Sequence, residues 1–255
     1  MKCVGLKSRL IEGKYDLFTE ILEILKNNEV ILRNKDILAI SSKICSICEG
    51  NVQDLRQIKD KPKLQRQNLA LTATERPELA YLIEREADRI MPGEYYLTVK
   101  NNIFVANSGI DESNMPEDLV VMWPVKPYKS ANSLQKKLIS HFKLNHLGII
   151  IVDSVCIPLR QGAIGNAIGY SGFRGIVDKI GLNDLYGKAL KVTKVNIADS
   201  LATAANLIMG EADESTPVVL ISDYGAEFTN EMISETEIVM DGDKCIFKGL
   251  YPNNK

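Results

Sequence analysis

Residues 148–173 read GIIIVDSVCIPLRQGAIGNAIGYSGF, and the opening of this stretch decides the fold. Gly148-Ile149-Ile150-Ile151-Val152 is an apolar, β-branched run too short for an ordinary helix and without polar alternation, so it predicts a strand covered on both faces. The run ends at Asp153-Ser154. Oxygen donors where a buried strand emerges can hold a hard cation such as Mg²⁺ or Mn²⁺ against a phosphate, or can simply make a turn. Further on come Pro158-Leu159-Arg160-Gln161-Gly162 and then glycines at 165, 169, 172 and 175. These fit neither the dinucleotide fingerprint nor the P-loop, so neither chemistry is supported. With Ala163, Ala167 and Ser171 between them, their spacing predicts a helix packed closely on another backbone. Arg160 has two readings: a planar fork of donors over a phosphate or carboxylate, or an ordinary surface ion pair.

Toward the C-terminus, Val192–Ala198 predicts a strand, Asp199–Met209 a helix with Leu201, Ala205 and Ile208 inward, and Val218–Ser222 another buried strand. Between the last two lie Glu211, Asp213 and Glu214, which repel one another unless solvated or met by a cation. Toward the N-terminus, Lys2–Leu6 and Ile37–Ser41 predict strands, the second running into a polar turn, and Asp16–Lys26 an amphipathic helix. Gln53–Asn68 is charge-dominated and predicts a loop or solvated helix. Glu75–Ile90 has helical spacing, stopped by Met91-Pro92-Gly93. Tyr95–Val99 and Ile103–Ala106 form a hairpin about Lys100-Asn101-Asn102. The octet Asn107-Ser108-Gly109-Ile110-Asp111-Glu112-Ser113-Asn114 has turn composition and brings a second carboxylate to a strand end. Val120–Pro127 is a proline-broken crossing segment, and Ser130–Phe142 a helix with Ser130 or Asn132 as cap.

The 255 residues suit one large domain or two modest ones, and 45% hydrophobic residues suffice for an ordinary core. A formal net charge of -2 without long basic runs gives no footprint for nucleic acid. No apolar run approaches the ~20 residues needed to span a bilayer, and the N-terminus lacks the apolar core of a signal peptide, so a cytoplasmic location is expected. Five scattered cysteines suggest reduced thiols rather than a disulfide framework. Cys45 and Cys48 make a single C-x-x-C with no second pair, which favours buried structural cysteines over a redox or zinc site. His141 and His146 have no acidic or cysteine partner nearby and read as surface or packing residues.

The octet 107–114, Asp153-Ser154, the run Asp184-Leu185-Tyr186-Gly187-Lys188 with Leu190, Val192 and Thr193, and the segment from Ala198-Asp199 through Asn206 to Gly210-Glu211 together resemble the coenzyme F-420 γ-glutamyl ligase family, in order from about Gly5 to Gly225. The resemblance implies an α+β fold of two interlocked subdomains over 1–255, the second drawn mainly from the central part of the chain, in a homodimer. It implies GTP or ATP as cosubstrate and two divalent cations, Mg²⁺ or Mn²⁺. Asp111 and Asp153 match ligands of the first cation, Ser154 and Glu211 of the second, and Asp111, Asp153 and Arg160 are the expected catalytic residues. Nucleotide contacts match Ser8, Arg9, Leu10, Ile11, Ser42, Lys43, Asn114 and the loop Met209, Gly210, Glu211, Ala212, Asp213, Glu214, Ser215, Thr216. Two positions depart from the pattern. Ile47 stands where the family has a lysine, and Cys156-Ile157 where a Gly-Arg is usual, with Arg160 a few residues later. The implied reaction joins L-glutamate to a carboxylate of the F-420 precursor through an acyl phosphate. A folate-type acceptor and a nucleotide-binding homologue without turnover stay open as alternatives, and no residue stands out as the base.

Overall fold

A computed structural model describes residues 1–58, 76–91 and 96–250. Residues 148–171 form the last two strands, on one side of a five-stranded sheet. Its strands are β1 (Lys2–Leu6), β2 (Ile37–Ser41), β8 (Gly148–Cys156), β9 (Ala163–Ser171) and β12 (Val218–Ser222), in the order β1-β12-β2-β8-β9. Only β2 and β8 run parallel. Both faces of this sheet are covered, as the unbroken apolar runs demand. Leu38, Ile40, Ile149 and Ile151 point into one core with α1 (Leu17–Asn27), α2 (Ser42–Glu49) and α4 (Pro127–Phe142). Ile37, Ala39, Ile150 and Val152 point into the other, against α5 (Ile197–Met209). The architecture is α+β.

The strands β1, β2 and β12 lie where the sequence puts them, and α1 begins one residue late because Asp16 is its cap, accepting from the Thr19 amide at 3.1 Å. Elsewhere the structure corrects the reading. Residues 163–171 are strand β9, not a helix. The close backbone approach is there, since a Cβ at Gly165 would meet the Ala202 carbonyl at 2.4 Å and one at Gly169 the Pro127 backbone at 2.5 Å. A bulge opposite Ile151 and Val152 turns the two glycines toward different helices, so a spacing of four belongs here to a bent strand. The hairpin partner also extends β8 past its apolar run, so Asp153 and Ser154 sit inside the ladder opposite Asn166 and Gly165. Ser41 leads directly into α2 rather than a polar turn. The predicted strand at 192–198 shrinks to β11 (Lys194–Asn196), because Asn196 accepts from the Asp199 amide and starts the helix at Ile197. Helix α4 starts three residues early, with Pro127 in its first turn and neither Ser130 nor Asn132 as cap.

The central part of the chain packs around a separate apolar cluster, with Leu79, Leu82 and Ile83 from α3 (Pro77–Glu86) against Val120 and Met122. Its strands are β3 (Val52–Asp54) paired with β7 (Leu119–Val121), and β4 (Arg89–Ile90), β5 (Leu97–Lys100) and β6 (Ile103–Ala106) in a small antiparallel sheet. Asn101 and Asn102 both take positive φ, the tight turn the hairpin reading expected. A short turn, Leu55–Gln57, replaces the start of the charged loop, and the rest of that expectation, like Pro92-Gly93 and Tyr95, lies outside the described residues. The last pair, β10 (Ile176–Asp178) and β11, forms a ribbon.

Candidate active site

Five distant segments meet at one cavity of about 270 Å³. The floor is the β8 ladder at Asp153 and Ser154, beside the N-terminus of α2. The parallel pairing of β2 with β8 sets Ser41 beside Val152, so the first residue of α2 arrives next to Asp153 and the Ser42 hydroxyl donates to Asp153 Oδ1 at 2.7 Å. One wall is the octet. Asn107, Ser108 and Gly109 all take positive φ, and Gly109 lies so close to Trp123 that a Cβ there would come within 2.0 Å of the indole. The Ser108 hydroxyl donates to the Ile83 carbonyl at 2.8 Å, and Asp111 is clamped to Val121 by two backbone hydrogen bonds of 2.9 and 2.8 Å. The other walls are Ser8–Ile11 and the loop 209–216 after α5.

All the expected nucleotide- and cation-contacting residues line this cavity: the 8–11 segment, Ser42, Lys43, Asp111, Asn114, Asp153, Ser154 and the 209–216 loop. Arg160 does not. It lies exposed in the β8–β9 turn, outside the cavity lining. The structure adds Ser113 and Asn206. Ser113 gives its amide and hydroxyl to Asp111 Oδ1, both at 2.7 Å, an Asx turn readable in Asp-x-Ser. Asn206 donates to Glu211 Oε1 at 2.8 Å across the last turn of α5, a role that side-chain spacing alone does not signal. Ile47 lines the cavity one helical turn after Lys43, so the chain carries its ammonium on the same face, four residues earlier.

The electrostatics are uneven. Lys43 Nζ reaches Asp111 Oδ2 at 2.8 Å and donates to the Ser113 carbonyl and hydroxyl at 2.7 and 2.9 Å. Burial works against charge on Asp111, but Lys43 and then Ser113 outweigh it and hold this carboxyl below its ordinary range. Asp153 has no such partner. Burial pushes its pKa up to about 6; hydrogen bonds from Ser42 and the Ser154 amide pull against the rise, and the negative charges of Asp111 and Glu211 add to it. The 209–216 loop is fixed from both sides: Asn114 donates to the Ala212 carbonyl at 2.7 Å, and Ser8 to that of Ser215 at 3.0 Å. Arg9 is held by both oxygens of the buried Glu20 at 2.8 and 2.9 Å and stacks over Tyr15.

The paired thiols take no part. Cys45 and Cys48 lie buried along α2, and burial first of all raises both, Cys48 to about 12, so neither is a ready thiolate. His141 is exposed, edge-on to Phe18 and Phe142, and His146 packs near Phe228.

Comparison with known proteins places this arrangement. The model of the family described as F420-0:Gamma-glutamyl ligase matches residues 5–223. A Coenzyme F420:L-glutamate ligase of Methanopyrus kandleri is 38% identical over 196 residues, 74% of this chain and 75% of the relative. The proteins of the same name from Methanocaldococcus jannaschii and Methanococcus maripaludis are 38% identical over 202 residues (78% and 80%) and 35% identical over 235 residues (90% and 91%). Fold and relatives together define an α+β enzyme, a ligase. The chain belongs to the F420-0:gamma-glutamyl ligase family. Among the described residues no helix is long and apolar enough to cross a membrane.

Proposed function

We propose that this ligase joins the amine of L-glutamate to a carboxylate of the F420 precursor, using a nucleoside triphosphate, GTP or ATP, and divalent cations. The observation that carries the reading is the convergence of Asp111, Asp153 and Glu211 on one cavity of a chain in this family. Amide formation from a carboxylate is uphill in water, so the carboxylate needs a better leaving group. In the reaction we propose, an acceptor oxygen attacks the γ-phosphorus of the nucleotide, the bond to the β-phosphate breaks, and an acyl phosphate and nucleoside diphosphate result. The glutamate nitrogen then attacks the acyl carbon, the C–N bond forms, the C–O bond to phosphate breaks, and the amine surrenders its proton as inorganic phosphate leaves.

The chain's own groups suit this work. The Lys43 ammonium and the serine hydroxyls at 8 and 42 would turn from their present acceptors, among them Asp111 and Asp153, to donate to phosphate oxygens, and the loop around Glu211 is already positioned by Asn114 and Ser8. Among the described residues no three acidic, histidine or cysteine side chains form a ready-made metal centre. The donor set nevertheless fits hard cations, because it is all oxygen and because Asp153, itself without a cationic partner, faces the negative charges of Asp111 and Glu211. Asp111, Asp153, Ser154 and Glu211 would hold two of them, and bound Mg²⁺ or Mn²⁺ would draw negative charge from the phosphates.

A homodimer is part of the same proposal. The ribbon β10–β11 extends through a bridge between Asn183 and Ala189 to a tip where Leu185 and Tyr186 are fully exposed, with Val192 nearly so, which supports burial against a second copy. The decisive experiment is release of inorganic phosphate from GTP and from ATP, with Mn²⁺ or Mg²⁺ and L-glutamate, offering either the F420 precursor or a dihydropteroate-type acceptor. Release that requires glutamate and the F420 precursor supports the proposal. Release with the pteroate alone reassigns the acceptor, and none with any combination refutes it.

A further inference from the structure

A second cleft, of about 770 Å³, lies at the other end of α2. The eight residues of α2 set its two ends about 10 Å apart, with Ser42 in the acidic cavity and Glu49 in this cleft. The two cavities have opposite chemistry. Lys126, Lys129 and Lys137 lie on one face of α4 with Ser130 and Ser133, and Lys14 faces them from the segment before α1. From Lys126 to Lys137 the face runs about 16 Å at the rise of an α-helix.

The carboxylates in the cleft are already occupied. Asp16 accepts from the Thr19 amide and hydroxyl at 3.1 and 3.0 Å and from Lys137 Nζ at 3.0 Å. Glu49 accepts from the Ser130 hydroxyl at 2.6 Å and the Val125 amide at 3.0 Å. Among the described residues Lys14, Lys126 and Lys129 have no carboxylate partner, and the positive end of α4 lies beside Lys126. Phe18 and Leu134 give the same cleft an apolar side. An elongated groove with three uncommitted ammonium groups, hydroxyls and an apolar side matches a linear anion with methylenes between its charges, rather than a compact one.

We propose that this groove binds short γ-glutamyl chains, the linear oligocarboxylate that the reaction proposed above generates. This identification rests on that reaction: each cycle turns one carboxylate into an amide and brings in two, so the product gains a negative charge. The probe is tri-γ-glutamate, titrated into the full chain by calorimetry at low salt, with inorganic tripolyphosphate as the comparison anion and nucleotide binding as a check on the acidic cavity. Wild type binds tri-γ-glutamate, and the exposed double variant Lys126→Gln/Lys129→Gln binds it about tenfold more weakly while holding nucleotide as before. Salt at 0.3 M weakens wild type far more than the variant. Equal binding by both proteins, competition between tri-γ-glutamate and nucleotide, or binding of tripolyphosphate alone overturns the assignment. Lysine-dependent binding of tri-γ-glutamate in a protein that releases no phosphate with any acceptor would uphold the groove and refute the reaction.

Discussion

At its N-terminus helix α5 turns Asn196 and Asp199 into the protein; thirteen residues later it ends at Gly210 and offers Glu211, Asp213 and Glu214 to a cavity. At the first end the polar groups answer one another. Asp199 accepts from the Ala167 amide at 2.9 Å and from Asn196 Nδ2 at 2.5 Å, and its own amide returns to Asn196 at 3.0 Å. At the second end three carboxylates crowd the negative pole of the helix, where cations are the favoured neighbours. One end is a closed network that fastens α5 to β9, and the other leaves charge to be met from outside. Burial raises the carboxyls of both Asp199 and Asp153, but like charges add to the rise only at Asp153. Desolvation alone therefore does not mark a site; the gathering of like charges does.

The strongest way to break this contrast is Asp153→Asn. If Asp153 serves the reaction, turnover falls by roughly a thousandfold, measured as glutamate-dependent phosphate release. The same change should stabilise the cation-free protein. The folded pKa of about 6 lies above the ordinary carboxyl value, so the favourable contribution is complete below about pH 4 and is lost as the pH rises through 6. Urea unfolding in chelator should show Asp153→Asn gaining on wild type by up to about 3 kcal/mol at pH 8 and by little at pH 4. A variant that loses activity without that gain would make Asp153 a structural residue like Asp199.

Asp199→Ala probes the closed end and should do the reverse. It strips acceptors from the Ala167 amide and the Asn196 amide group, and unpaired buried donors cost about 1–3 kcal/mol. The midpoint of urea unfolding should fall accordingly, while KM for glutamate and nucleotide stays within twofold. A large change in KM would mean that the two ends of α5 are coupled.

Much of the frame is legible in the sequence because it depends on local rules. Unbroken apolar runs marked β2, β8 and β12, and the spacing from Asp16 marked α1. What failed depended on partners. A bulge created by the β8 register made small residues four apart into a strand, and β8 itself ran on because β9 supplied a ladder beyond the last isoleucine. The cavity was legible only piecemeal. Each acidic turn had an innocent local explanation, and resemblance to a family, not spacing, joined Asp111, Asp153 and Glu211. The planar donor fork of Arg160 suggested a place over a phosphate, whereas the turn in which it stands carries it into solvent. Ser113 had a local signal in Asp-x-Ser, whereas Asn206 escaped because an amide becomes informative only beside the carboxylate it holds.

Gly210 sets how far the open end can be reshaped, and its effect is the smallest expected here. It holds φ 75° and ψ 179°, a conformation open to glycine and strained for other residues, and a Cβ would meet the Glu214 carboxylate at 2.1 Å. The Glu214 side chain is the end of a flexible stem and can move aside, but in doing so it releases the Ala212 amide it accepts from at 2.8 Å. Ala212 is the residue whose carbonyl Asn114 fixes, so the whole acidic loop loosens from the octet. Gly210→Ala should therefore weaken nucleotide binding about tenfold in calorimetry, from backbone strain of about 1–3 kcal/mol spent partly on the loop. The loss should appear in KM for nucleotide and in kcat together, because the loop carries both the proposed nucleotide contacts and Glu211, proposed to share the cations with Asp153. A change in KM with kcat unaltered would instead separate the open end of α5 from the carboxylate floor in the reacting geometry.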